Sequence, residues 1–460
     1  MAVQLSEVAP QLQTLFTTDA DQAARDCRFI RRRRKLSGAA FAQALVFSWM
    51  EAPQATVDEL VGGLARAGVC LKPQSLEGRF TPQAAEFFRL LLGKALDKAV
   101  AAQPGAVRLL RLFKGVFLLD STLIALPAAL AEVLPGCGGR DNPEACRAGL
   151  KVTVRYELGS GCLEGVNLNP ARLAEASTEL HSAPLRAGSL RLADLGFFDL
   201  GVLRRYDRQG VYFITRPAMN LVVFDARGRK WKLARYLARK RRDRVDEWLR
   251  VGAGGHLLCR LVALRAPEEV ADKRRKSARQ AAQDHGRQVS ADRLEICGWT
   301  VFLSNVPRWL LALQEVWVVY RLRWQVELLF KLWKSDGQID ESRSAQPQRV
   351  LAEVYAKLLG MVVQHWLLLS AGGAAFGAKS RRKAARAVRR QMGHVAAVLL
   401  RTAELLRALG VLGDMVAAAG DVATRGARPS TYQTLLDPDH DGLSSPRQRA
   451  SSGAAPAPGP

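Results

Sequence analysis

Three carboxylates stand out by type and setting. Asp120 follows the apolar run of GVFLLDST, Asp194 follows that of LRLADLG, and Glu327 lies within YRLRWQVELLFKLWK. In an α/β sheet the carboxyl ends of adjacent strands converge on one rim, so two aspartates there can share a hard cation. Either aspartate alone also suits a turn former or a helix N-cap. Asp199 lies close to Asp194 and competes for the second position, but capping the helix that follows is its more natural role, and Asp194 directly follows LRLA.

The segment around Glu327 carries more. On one helix advancing about 100° per residue, with Tyr320 at zero, Arg323 falls at about −60°, Glu327 at about −20° and Lys334 at about −40°. A phenol, a carboxylate and two cations would then share one narrow stripe. An exposed Arg323/Glu327 pair at i,i+4 is the plain alternative. It leaves unexplained why Trp324, Phe330, Trp333 and several leucines fill the other sides, which buries the helix and makes a charged stripe costly unless a ligand faces it.

The elements that must hold these residues follow from periodicity. Strands are expected at Gly115 to Thr122, Leu150 to Leu158, Cys162 to Leu168, Leu190 to Gly196 and Val211 to Pro217, with helices near Thr178 to Ala187 and Asp199 to Arg208. Three meander strands followed by helix, strand, helix and strand give an α/β fold, in the order of an RNase H-like catalytic core with a β-rich insertion and helical flanks. The expected divisions are a helical N-terminal region (1–105), the first part of the core (106–220), a basic β-rich insertion (221–306), the Glu327 helix region (307–345), a helical C-terminal region suited to dimerisation (346–425) and a disordered Ser/Pro/Gly-rich tail (426–460). Within the first, Thr56 to Phe80 has the form of a helix-turn-helix breaking at Gly68 and reopening near Pro73, which would turn Gln74, Ser75 and Arg79 toward a DNA groove. An ordinary αα-hairpin fits the same pattern.

Composition narrows the partner. Lys and Arg number 68 against 43 Asp and Glu in 460 residues, a formal charge of +25 and a pI near 10.4, which attracts polyanions. Basic runs at Arg31 to Lys35, Arg239 to Arg244, Lys273 to Arg279 and Arg381 to Arg390 supply a phosphate-attracting field, although such runs are often only solvated faces. No uninterrupted apolar run is long enough to span a bilayer; the best candidate, Leu358 to Ala371, contains Gln364 and His365. The start MAVQLSEVAPQLQ lacks a signal-peptide pattern, so a cytoplasmic location is expected. The seven cysteines are scattered without a C-x-x-C pair, which argues against disulfides and zinc fingers. His181, His285, His365 and His394 show no paired metal spacing.

The spacing Tyr320-x-x-Arg323-x-x-x-Glu327-x-x-x-x-x-x-Lys334 resembles the YREK signature of bacterial cut-and-paste transposases, the DDE enzymes of the insertion-sequence-four superfamily. GVFLLDSTL resembles that family's first-Asp block, and LRLADLGFFDL with VYFITRPAMN its second, so the likeness runs in order from about Thr56 to about Trp366. The resemblance implies that Asp120, Asp194 and Glu327 bind two Mg²⁺ ions, with Mn²⁺ as a substitute, for in-line phosphoryl transfer. It implies that Tyr320, Arg323 and Lys334 hold terminal phosphates. It also implies that an aromatic residue of the insertion stacks on a flipped base; Trp299 is the candidate, with a core tryptophan as the alternative. Arg216 would touch donor backbone or form a structural ion pair. The partners implied are double-stranded DNA, as terminal inverted repeats and target, and a second copy of the chain in a homodimeric synapse. Two other readings, a non-catalytic transposase-derived DNA-binding protein and an RNase H-like nuclease, are disfavoured by the survival of all three acids and by the Tyr/Arg/Lys stripe respectively.

Overall fold

The computed structural model describes residues 5–32, 35–98, 108–138, 146–284, 286–372 and 380–419. The expected disordered tail, His285 and part of the Arg31 to Lys35 run lie outside the described residues. The chain opens with helices α1 (Leu5–Thr14), α2 (Ala20–Asp26), α3 (Gly38–Glu51), α4 (Val57–Arg66), α5 (Pro73–Glu77), α6 (Pro82–Leu96) and α7 (Arg108–Arg111). Strands β1 (Val116–Leu126), β2 (Ala148–Glu157) and β3 (Leu163–Pro170) follow, then α8 (Glu179–Ser182), β4 (Leu190–Ala193), α9 (Leu200–Arg208) and β5 (Tyr212–Thr215). Next come β6 (Val222–Phe224), β7 (Lys230–Lys232), α10 (Leu233–Ala238), β8 (Arg244–Val251), β9 (Leu257–Arg265), α11 (Glu268–Asp284), α12 (Ala291–Cys297) and β10 (Trp299–Ser304). The last helices are α13 (Leu313–Arg321), α14 (Trp324–Ser335), α15 (Pro347–Gly372), α16 (Arg381–Val398) and α17 (Thr402–Ala417).

These elements fall into two compact units. The first takes the N-terminal helices to α6, residues 115–184, and the chain from Trp324 onward through α17; the second takes residues 106–114 and 185–323. In the first unit β1, β2 and β3 form an antiparallel meander, with Asp120 opposite Val154 and Val154 opposite Val166. Residues Ala148 to Val154 of β2 are buried without alternation, as expected of a strand covered on both faces. α15 is long and apolar enough to cross a membrane by length and composition, yet 89% of its most apolar window is buried inside the protein. It is the central helix of this unit, packed by α3, α6 and α17.

In the second unit β4 and β5 are parallel and joined through α9, and the order continues β5, β10, β9, β8, β6, β7 with antiparallel neighbours. Its core gathers Phe213, Val223, Leu237, Leu249, Cys259, Leu261, Trp299 and Leu303. The fold is α/β, with the meander, helix, strand, helix, strand order read from the sequence.

Three local expectations are corrected. β1 does not end at Thr122 but runs on to Leu126, because Ile124 and Leu126 keep an inward alternation after the polar DST step. The insertion is not purely β-rich: the charged run from Glu268 folds as α11, and LEICGWTVFLSN divides into α12 and β10 at Gly298, Ser290 capping α12 through Arg293 N. The helix between β3 and β4 is a single turn, α8, where a longer one was expected from Thr178 to Ala187.

Candidate active site

The first unit holds two of the three acids. Asp120 is half-buried within β1 and accepts a hydrogen bond from Ser121 N at 2.9 Å. Ser121 Oγ in turn donates to Glu175 Oε1. Nothing in the sequence marks Glu175, because it sits in a short 3₁₀ turn with no periodicity to aim it. Glu327, also half-buried, lies in the first turns of α14, whose Val326, Leu329, Phe330 and Trp333 are buried. Lys334, in the last turn of the same helix, donates to Leu123 O of β1 at 2.8 Å and stands 3.7 Å from Asp340. The strand of Asp120 and the helix of Glu327 are thus bonded to each other by a charged donor.

The second unit holds Asp194 in the turn after β4, where it opens the 3₁₀ turn Leu195–Phe197. Tyr320 Oη donates to Asp194 Oδ1 at 3.3 Å, and Arg323 Nη2 lies 3.9 Å from Asp194 Oδ2. Tyr320 is only 9% exposed and its ring packs on Phe302 with centroids 4.5 Å apart. Burial, and then the Asp194 carboxylate, push its phenol well above the usual range, so it is a hydroxyl donor at neutral pH. The positive charges of Arg323 and of exposed Arg216 act in the opposite sense on the same phenol. Asp199 is the N-cap of α9, its Oδ1 accepting from Val202 N at 2.9 Å. That is the capping role expected of it.

The single stripe expected from Tyr320 to Lys334 is not continuous. α13 ends at Arg321 and α14 begins at Trp324, so the phases calculated for one straight helix do not carry across Leu322 and Arg323. Leu322 is fully buried. Tyr320 and Arg323 stand with Asp194 in the second unit, Glu327 and Lys334 with Asp120 in the first. Tyr320 does not present its hydroxyl to solvent, as a phosphate ligand would, but to a carboxylate.

Trp299 is 2% exposed in the core of the second unit. The Arg265 guanidinium lies over its ring at 4.4 Å and Arg274 Nη1 donates to its carbonyl at 3.1 Å. The expectation of a base-stacking face therefore gives way to the core alternative: Trp299 pairs with Arg265 of β9 and its ring packs in the interior of the second unit. Trp309, in the turn after β10, is 81% exposed instead. Sequence pattern does not reveal it, because exposure in a turn leaves no period.

That turn is well anchored. The fully buried Arg260 donates to Val306 O and Leu311 O at 3.1 and 2.7 Å, and pairs with Asp246 at 2.8 Å. Arg260 and Arg308 hold the Asp246 carboxyl below the usual carboxylate range against the opposing effect of burial.

The N-terminal helix pair has a defined shape. Thr56 and Glu59 form a reciprocal capping box at the start of α4, Gly68 adopts a φ of +78° in the turn, and Pro73 opens α5. Leu76 and Phe80 are buried while Gln74, Ser75 and Arg79 are exposed. Arg349 of α15 fixes α5 through Glu77 at 2.9 Å and lies over Phe80 at 5.3 Å.

Among the described residues no three His, Cys, Asp or Glu side chains form a group that could hold a metal. Asp120, Asp194 and Glu327 each offer carboxylate oxygens, the donor type a hard divalent cation takes, and each is half-buried within its own unit.

Known proteins give the family. Residues 111–362, a span that includes all three acids, match the transposase DDE domain family. The chain is similar to the transposase of insertion sequence element IS231F from Bacillus thuringiensis subsp. israelensis, 27% identical over 78% of this chain and 79% of that one. It is similar to the IS231B transposase of B. thuringiensis subsp. berliner at 26% over 75% of each chain, and to the IS1151 transposase of Clostridium perfringens at 23% over 76% and 78%. Among solved structures, a piggyBac transposase synaptic complex with hairpin DNA covers 92% of this chain and 87% of its own at 12% identity and a TM-score of 0.43, too distant to carry an argument. With its family match extending over more than half of its length, the chain belongs to the DDE transposases of bacterial insertion sequences.

Proposed function

We propose that this protein catalyses cut-and-paste DNA transposition: cleavage at the inverted repeats of its element, then joining of the freed 3′-hydroxyl to target DNA. The observation that carries the reading is the content of the matched span, where three half-buried carboxylates lie on β1, after β4 and on α14, one of them engaged by a phenol and a guanidinium. In the first reaction water attacks a phosphodiester and the 3′-oxygen leaves as a hydroxyl. In the second that hydroxyl attacks a target phosphorus and displaces the neighbouring 3′-oxygen, so the number of phosphodiester bonds is conserved.

Asp120, Asp194 and Glu327 would hold the divalent cations, Mg²⁺ or Mn²⁺. When bound, such ions supply charge stabilisation for the attacking and leaving oxygens. The chain's own groups do the positioning. Tyr320 donates to Asp194 and limits how its carboxylate can rotate, while Arg323 keeps positive charge beside it. Lys334 ties α14 to β1. Arg216, exposed at the end of β5, and the exposed Gln74, Ser75 and Arg79 are left to meet DNA. The protein would work as a homodimer on two element ends in the bacterial cytoplasm, at the nucleoid.

The test uses purified full-length protein and duplexes carrying the DNA that flanks its gene. Cleaved 3′-hydroxyl ends and joined products that appear only with Mg²⁺ or Mn²⁺ are the expected result. Retention of the duplex without cutting under either ion would count against the reading.

A further inference from the structure

The first unit contains a strongly charged helix that the chemistry above does not use. α16 carries Arg381, Arg382, Lys383, Arg386, Arg389 and Arg390 in its first ten residues and no acid along its length. Arg382, Lys383, Arg386 and Arg390 are exposed, while Ala384, Ala385, Val388, Met392, Val395 and Val398 are buried against the unit. Arg382, Arg386 and Arg390 recur every fourth residue, so their Cα atoms rise in steps of about 6 Å along one side. Like charges at this spacing repel and cost helix stability.

The internal compensation is small. Asp336, 6% exposed, is the acid facing the first turns, and Arg382 and Arg386 approach it only to 3.7 and 4.0 Å while their side chains stay 65% and 56% exposed. Farther along, Glu51 faces Gly393, but its carboxylate already pairs with Arg66 at 3.3 Å. One buried carboxylate therefore orients two arginines without neutralising the row.

α16 is also fastened along α14. Arg381 Nη1 donates to Gln325 O at 3.4 Å in the first turn of α14, and Arg389 Nη2 donates to Asp336 O just past its end. The basic row thus runs beside the helix that carries Glu327.

We infer that the exposed row Arg382, Lys383, Arg386 and Arg390 is a sequence-independent docking surface for the sugar-phosphate backbone of duplex DNA, seated alongside the Glu327 helix. A regular row of exposed cations matches a polyanion with one charge per about 1.7 Å of axis, and binding would release condensed counterions. The inference rests on the proposed function for its partner.

The test is the salt dependence of binding to a duplex of arbitrary sequence, with full-length protein. Lys383→Gln/Arg386→Gln/Arg390→Gln should lower the slope of log affinity against log salt by about 2 to 3. Between 50 and 200 mM salt the wild type should then lose roughly 15- to 65-fold more affinity than the variant. Acetylation of Lys383 in the unaltered protein, read by mass spectrometry, gives a measurement that needs no folded variant: duplex should protect it at low salt and not at high salt. Equal acetylation with and without duplex would overturn the inference, as would an unchanged slope in a folded variant. So would protection by polyglutamate but not by duplex, which would identify an acidic polypeptide as the partner. Glu327→Ala should keep the wild-type slope. Cleavage with an unaffected slope refutes the docking surface alone; a lowered slope in a protein that never cuts refutes the catalytic reading alone.

Discussion

The two units hold their acids in different ways. In the first, Asp120 sits inside an eleven-residue strand and Glu327 on a helix with five buried apolar neighbours, the two elements joined by the Lys334 bond to Leu123 O. In the second, Asp194 follows a strand of only four residues, and its orientation depends on side chains, the Tyr320 hydroxyl and the Arg323 guanidinium. Backbone elements fix a carboxylate through many bonds at once, whereas side-chain partners fix it through one or two that single substitutions remove. The first unit should therefore tolerate changes around its acids, and the second should be tuned by them.

The largest effect is expected where that contrast vanishes. Asp120→Asn and Asp194→Asn each remove a proposed cation ligand, and each should lower metal-dependent cleavage by roughly 10³-fold or more, the loss of several kcal/mol of charge stabilisation. A mild effect of one and a severe effect of the other would show that the two aspartates do not share one role.

Next comes the core of the second unit. Trp299→Ala should destabilise it by about 3 to 5 kcal/mol, the usual cost of deleting a buried tryptophan. Denaturant unfolding should show the loss, and nicking and every later step should fall together. Selective loss of a late step in a stably folded variant would restore the stacking role.

A smaller effect separates positioning from packing. Tyr320→Phe keeps the ring on Phe302 and deletes only the hydroxyl at Asp194. Cleavage should drop on the order of 10-fold, the worth of one hydrogen bond to a charged group, with little change in Tm. The matching change in the first unit, Lys334→Met, should instead appear in thermal stability, because its partner is the backbone of β1.

The smallest effect concerns pH. His365 is buried on α15, its Nε2 2.7 Å from Gly161 O, and burial lowers its pKa to about 4. The unfolded chain binds this proton near pH 6.5 and the folded one does not until about pH 4, so stability should be lost as pH falls through that window. His365→Gln should flatten the fall in Tm between pH 7 and pH 5. An identical fall in both proteins would assign the acid sensitivity to other groups.

How far the sequence foretells this molecule depends on whether a feature leaves a period. The strands and their order were legible because apolar runs bounded by Gly and Pro leave little choice, as at VYFITRP. Asp194 and Asp199 were separable because one follows LRLA and the other precedes a helix, and the capping bond to Val202 agrees. The break at Leu322 and Arg323 was not legible: apolar spacing continues across it, and only the buried Leu322 and the pull of Tyr320 toward Asp194 show that the helix stops. Glu175, Trp309 and the Arg260 anchor were invisible for a related reason, since their settings come from contacts between distant segments.

The central claim, a DDE centre in which Glu327 acts in chemistry and not in DNA binding, has one direct test. Glu327→Ala and the unaltered protein are compared on a duplex bearing the flanks of the gene, with Mg²⁺ present, reading binding and strand cleavage in the same samples. The account predicts that binding persists while cleavage disappears. Cutting by the variant at the wild-type rate would contradict it.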